Sequence, residues 1–302
     1  MSPVLKTLGS LAAAAAMVGA AVVGRNALDT KSERDGLRLT VVCDPAAEAF
    51  CQAAAAADDR LTVKVESPDV TTKRLVGLEP GERPDFQAWV SLGPWLQMAV
   101  GRSGSTAPTD VAYVASTPVV LLTLKNQRFD CGKPPAGCLP LGGSTSVGLP
   151  SPRSSGIGLA GLAQIALARS GIGVADLDRS AIERGPAADA ITALEGRTKP
   201  SAGLEQLNVN FSGANPLVTT KAAAAAAADR AKLVTSDPAV RVVLQVGLLV
   251  DSASMPLSGG EPAGRALARA ALDAGWDPVS DPAGGLPEPG VLAALQDAGR
   301  GL

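Results

Sequence analysis

The most telling fact about the reactive side chains in this chain is an absence: its 302 residues include no histidine. That excludes Ser-His-Asp and Cys-His catalysis, His-ligated metal sites and the usual imidazole pH switch together. The carboxylates are scattered over expected helices and loops, with no pair spaced for acid–base work. We therefore expect no catalytic residue, no metal site, no cofactor and no enzyme activity. Gly156–Gly161, GIGLAG, matches G-x-G-x-x-G letter by letter. As a dinucleotide fingerprint it is weak, because Ser151–Ser155 stands where a tight turn from the preceding strand is needed. A more general property of the stretch survives. A helix start preceded by Ser154 and Ser155 offers hydroxyls and free N–H groups to an anion, and Arg153 adds a positive charge. The competing reading is that a serine merely caps the helix while Arg153 lies in solvent.

Four cysteines, Cys43, Cys51, Cys131 and Cys138, form two local pairs along the chain. Four cysteines permit three connectivities; in an exported protein the natural reading is 43–51 and 131–138. Neither spacing suits a C-x₂₋₄-C zinc site.

The elements that must position these groups follow from pattern. Val111–Leu124 is almost wholly apolar, is broken by Ser116, Thr117 and Pro118, and is more than twice the length of an ordinary ~5–6 residue strand. Pro118 has no N–H for a ladder and pushes Thr117 towards extended geometry. Two readings fit: a strand leaving one sheet for another, with two hydroxyls at the mouth of a cleft, or one long bent strand buried in a single sheet. Upstream, Leu37–Cys43 and Leu61–Glu66 read as strands flanking a helix at Ala46–Ala57, with Asp44 as N-cap and Pro45 near its start. Pro84–Ser91 is a third strand. Loops after the strands of an open α/β sheet line its ligand crevice, which nominates Asp44, Pro45, Ala46 and Ser91. Downstream, helices are expected at 156–170, 185–196, 222–228, 261–274 and 291–297. Strands are expected at 147–150, 207–211, 217–220 and 240–250. Residues 125–143 read as a loop-rich insertion. Trp89 and Trp95 are read as core or lobe packing in preference to a stacking platform.

Hydrophobic residues at 46% and charged residues at 19% describe a globular chain, and with aromatics at 3% its cores must be built from Ala, Val and Leu. Net charge is −2 with no basic run, so no nucleic-acid partner is expected. Lys6, then the apolar run Leu8–Val23, then Arg25, reads as a secretory signal or membrane anchor. The polar stretch that follows reads as a tether.

Taken in order, LTVVCDPAAEAF, PDFQAWVSLGPW, ASTPVVLLTLK and GLPSPRSSGIGLAGL resemble successive motifs of bacterial extracellular solute-binding proteins of the type II periplasmic-binding fold. The likeness is nearest to actinobacterial substrate-binding-domain proteins and covers roughly residues 37–275. The chain departs from that pattern at Ser151-Pro152, where the family has Asp-Pro, and at Trp89-Val90-Ser91, where it has Trp-Ile-Pro-Asp-Ser. The resemblance implies a two-lobed α/β fold, each lobe a mostly parallel sheet flanked by helices, with hinge strands between.

The expected organisation is residues 1–24 signal or anchor, 25–36 tether, 37–118 first lobe, 119–240 second lobe, and 241–302 return strand and C-terminal helices on the first lobe. The implied function is capture of a small, anionic solute by hinge closure. Its contacts would be Asp44, Pro45, Ala46, Ser91, Ser116, Thr117, Arg153, Ser154 and Ser155. The implied setting is the outer face of the cytoplasmic membrane, anchored or secreted, with an ABC-type permease as partner. A second reading keeps the fold but makes the chain a cell-envelope interaction domain with a degenerate cleft.

Overall fold

The first strand, β1 (Leu39–Cys43), is buried along most of its length and pairs in parallel with β3 (Ala88–Leu92). This computed structural model describes residues 38–79, 82–103, 108, 110–126, 146–199, 216–229, 231–233, 240–249, 256–257, 260–280 and 285–302. The expected signal or anchor, the strand at 207–211 and Cys131 and Cys138 lie outside them.

Between β1 and β3 come a short 3₁₀ turn at Pro45–Ala47, α1 (Glu48–Ala57), β2 (Leu61–Val65) and α2 (Pro68–Val76). Asp44 Oδ1 accepts from the Ala46 N–H at 2.9 Å, so the expected cap is present, although a 3₁₀ turn precedes the α-helix. After β3 come α3 (Trp95–Ser103) and β4 (Asp110–Leu124).

β4 is one continuous strand of 15 residues that changes partners in its middle. Asp110–Pro118 pair antiparallel with β9 (Arg241–Leu248), with a bulge between Tyr113 and Ala115. From Val119 its neighbours are β7 (Leu217–Thr220), then β8 (Ala231–Leu233) from Leu122, both antiparallel. The exchange falls at Ser116-Thr117-Pro118. By strand alternation, an N–H at position 118 would point to the same side as that of Ser116, away from β9. Proline there sacrifices no β4–β9 hydrogen bond.

The second half of the sheet is completed by β5 (Val147–Gly148), parallel to β7 and to β6 (Thr198–Lys199). The described strands run β2-β1-β3-β9-β4-β7-β5-β6, with β8 beside β4. The sheet is mixed: β1–β3, β5–β6 and β5–β7 are parallel, β4 and β9 are antiparallel to their neighbours, and among the described strands β4 alone pairs in both halves. Thr40–Leu302 form one compact unit.

Helices cover both faces. α1 packs against α8 (Pro262–Asp273) on one side of the first half. On the other side Val42, Leu75, Phe86, Trp89, Trp95, Leu96 and Ala99 form one buried cluster between the sheet, α2 and α3. Both tryptophans belong to the core, as expected; side chains this size stabilise by about 1.5–3 kcal/mol each when fully buried. In the second half, α4 (Gly156–Ser170) is buried through most of its length and packs on α6 (Pro186–Leu194), β7 and α9 (Pro289–Ala298). α9 also packs on α3 and on α5 (Arg179–Glu183). A short helix, α7 (Lys221–Ala226), follows β7 directly. Val120, Leu122, Leu217, Ala223, Ala224, Ala227 and Ala231 form the small core there.

Candidate ligand site

The ends of β1 and β3 are joined by a hydrogen bond from the Asp44 N–H to Val90 O at 2.9 Å. Asp44 is 3% exposed; Pro45 and Ala46 are half-buried. Ser91 is fully buried, its side chain on the same face of the sheet as Gln245 across the β3–β9 ladder.

Past β5, Ser154 and Ser155 donate their N–H groups to Ser151 O at 3.2 and 3.0 Å, closing a turn. Ser155 Oγ then accepts from the Gly158 N–H at 3.2 Å as the N-cap of α4. This turn abuts the end of β3. A Cβ placed on Gly156 would lie 2.9 Å from Leu92 Cβ. The structure therefore brings the Ser91–Leu92 end and the Ser155–Gly156 start together.

The glycines of GIGLAG have a packing role. A Cβ on Gly158 would sit 2.2 Å from Pro150 O, and one on Gly161 would sit 2.5 Å from Val218 Cγ1. Close approach of α4 to its own turn and to β7 accounts for them without a nucleotide.

The two crossover hydroxyls are engaged within the protein. Ser116 is 1% exposed, and its Oγ accepts from Arg241 Nε at 3.1 Å. Its backbone forms a two-bond bridge with Asp277, whose carboxylate takes Arg241 Nη2 at 2.6 Å. Thr117 is fully buried, and its Oγ1 accepts from the Ala222 N–H at 3.2 Å in the first turn of α7. Ser155, at 2% exposure, is spent as a cap. In this structure these three hydroxyls are closed to water, while Pro45, Ala46, Arg153 and Ser154 reach it.

Arg153 opens elsewhere. It lines a depression of about 460 Å³ together with Asp69, Thr72 and Lys73 of α2, Trp95 of α3, Ser151, and Gln296, Asp297 and Arg300 at the C-terminus. Lys73 pairs with Asp69 at 3.2 Å and Arg300 with Asp297 at 2.8 Å. Gln296 Nε2 donates to Arg153 O at 3.3 Å, holding α9 to the turn.

Sequence reasoning missed the α2 and C-terminal members of this depression, which only tertiary folding brings to Arg153. It also missed Gln245, fully buried on β9, whose amide N and O have no hydrogen-bond partner among the described residues. Its one signal was a lone amide inside VRVVLQVGLLV. Among the described residues no group of Cys, Asp and Glu could hold a metal. No helix there is long and apolar enough to cross a membrane.

No protein-family model matches the chain, and no curated protein is significantly similar to it in sequence. Its fold is matched among solved structures. A periplasmic thiamin binding protein is 16% identical with a TM-score of 0.55, over 87% of this chain and 95% of that one. Iron-bound HitA from Pseudomonas aeruginosa is 12% identical with a TM-score of 0.52, over 86% and 97%. The periplasmic binding protein AfuA from Actinobacillus pleuropneumoniae, with fructose-6-phosphate bound, is 12% identical with a TM-score of 0.51, over 77% of each. The chain thus has the type II periplasmic-binding-protein fold that its motif order implied.

Proposed function

We propose that this chain is an extracytoplasmic solute-binding protein, not an enzyme, that captures a small anionic solute between two lobes hinged on β4 and β9. The observation that carries the reading is the partner exchange of β4 at Ser116-Thr117-Pro118, with β9 alongside it. A strand that pairs in both halves, with a second strand alongside it as far as the exchange, is a narrow hinge. A solute touching both sides of such a hinge favours the closed form. Residues 37–118 with part of 241–302 would be one lobe and 119–240 the other. Asp44, Pro45, Ala46, Ser91, Ser154 and Ser155 would flank the crevice, with Ser116 and Thr117 at its floor. Export through residues 1–24, retention at the membrane and delivery to an ABC-type permease complete the proposal. The solute-binding names of the structural neighbours support it.

Native mass spectrometry of the exported protein, purified without unfolding, tests the reading. A co-purifying small molecule, with a smaller radius of gyration in its presence, is expected. Protein that carries no small molecule and keeps one radius with every solute offered would overturn it.

A second reading, an envelope protein that presents this fold to another protein, is favoured by one observation. Ser116, Thr117 and Ser155 are buried and already hydrogen-bonded, as in a cleft that no longer opens. A stoichiometric partner chain in the same spectra, with no small molecule, would select it.

A further inference from the structure

We infer that the depression flanked by Lys73, Arg153 and Arg300 is the seat of a small organic polyanion, a molecule with two or more carboxylate or phosphate groups. The inference rests on the solute-binding reading and moves the site's charged contacts away from the buried hydroxyls. Three cations converge from three separate parts of the chain, against two carboxylates, Asp69 and Asp297. Each carboxylate is paired with a cation on its own helix or just past its end, at (i, i+4) and (i, i+3). Exposed pairs of that kind contribute about 0–1 kcal/mol, so a ligand oxyanion can take over either cation at small cost.

Arg153 needs no such exchange. Its guanidinium has no ion pair or hydrogen bond to any described residue, while its backbone is held by the turn and by Gln296. An unpaired guanidinium on an anchored backbone suits bidentate binding of carboxylate or phosphate. Trp95 gives an independent indication. It lines the same depression, is 1% exposed, and its indole N–H has no acceptor among the described residues. A buried donor left without an acceptor is costly.

Size selects the class. A space of about 460 Å³ falls within the range of small-molecule sites and is far larger than one inorganic oxyanion requires. Lys73 and Trp95 precede the β4 crossover and Arg153 follows it, so one ligand bridging them would tie the two halves together.

The test uses the full chain and four probes, citrate, glucose 6-phosphate, inorganic phosphate and glucose, followed by calorimetry and thermal shift at low salt. Citrate or glucose 6-phosphate is expected to bind, with glucose silent and inorganic phosphate at least tenfold weaker. Arg153→Gln and Lys73→Gln should each weaken binding tenfold or more. Arg269→Gln, an equal charge change on the exposed face of α8, should leave it unchanged. Equal losses in all three variants would mean diffuse charge attraction and overturn the inference. A co-purifying solute that is retained by Arg153→Gln and not displaced by citrate or glucose 6-phosphate would also overturn it, while leaving the solute-binding reading intact. With no bound solute and no probe binding, both fall.

Discussion

Gly156 sits so close to Leu92 that a Cβ there would lie 2.9 Å from Leu92 Cβ and 3.1 Å from Leu92 O. The contact joins the start of α4 to the end of β3, across the β4 crossover in sequence. Substituting Gly156→Ala should therefore act on the association of the two halves and lower stability by about 1–3 kcal/mol, the usual cost of overpacking. Gly158→Ala presses on the rigid Pro150 carbonyl at 2.2 Å and should cost more. Urea midpoints of the two variants check the order. A Gly158→Ala protein as stable as the parent would mean that α4 does not start as described.

Arg241, Ser116 and Asp277 form a clasp at the crossover. Arg241 binds the Ser116 hydroxyl and the Asp277 carboxylate, and the backbones of Ser116 and Asp277 bridge. The Arg241 and Asp277 side chains are 25% and 49% exposed, so solvent screens the pair. Asp277→Ala should cost only about 1 kcal/mol. Arg241→Ala should cost somewhat more, because it also leaves the buried Ser116 hydroxyl without its donor. A double-mutant cycle with Ser116→Ala measures that coupling. A coupling of zero would mean the clasp is formed by the backbone bridge alone.

Much of this fold could be read locally. Pro118 and the excess length of Val111–Leu124 marked the exchange of partners, and Asp44-Pro45 marked the cap before α1. What could not be read depends on distance in the chain. Thr117 caps the first turn of α7 from 105 positions away, and nothing near Thr117 announces it. β9 is buried along nearly its whole length, so its apolar run carries no sign that it lies antiparallel to β3 and β4. β6, β8 and α5 are too short to generate a period. Arg153 was legible as a charge beside a helix start. Lys73, Trp95 and Arg300 gather around it only once α2, α3 and α9 have packed.

The disulfide Cys43–Cys51 realises one of the two expected local pairs, linking the end of β1 to the buried face of α1. Closing so short a loop contributes about 2–3 kcal/mol in the chain-entropy model. Cys43→Ala with Cys51→Ala should therefore lower the melting temperature by several degrees, with the fold kept by the core around Phe50, whose ring meets Trp276 edge-on at 5.6 Å. Far-ultraviolet circular dichroism and a thermal scan check both parts. An unchanged melting temperature would mean that the bond does not contribute to the stability of the protein.

At the turn into β2, the guanidinium of Arg60 grips Asp58 through Nε to Oδ1 at 2.9 Å and Nη2 to Oδ2 at 2.6 Å, and the Arg60 N–H adds a bond at 3.1 Å. The side-chain hydrogen bond from Arg60 is the main reason the Asp58 carboxyl is held below its ordinary 3.8, against the opposing effect of burial. A carboxyl whose folded pKa is depressed contributes stability that is fully present above the unfolded value and is lost as pH falls through the folded one. Asp58→Asn should thus be less stable than the parent at pH 7, by no more than about 1 kcal/mol for a partly solvated pair. The difference should shrink as pH drops towards and through about 3.8 and should approach zero once the parent's carboxyl is protonated. Urea titrations of both proteins at pH 7, pH 4 and the lowest pH at which the parent still folds give the comparison. A difference that stays constant over this range would show that Asp58 stabilises the turn by packing, with no electrostatic share.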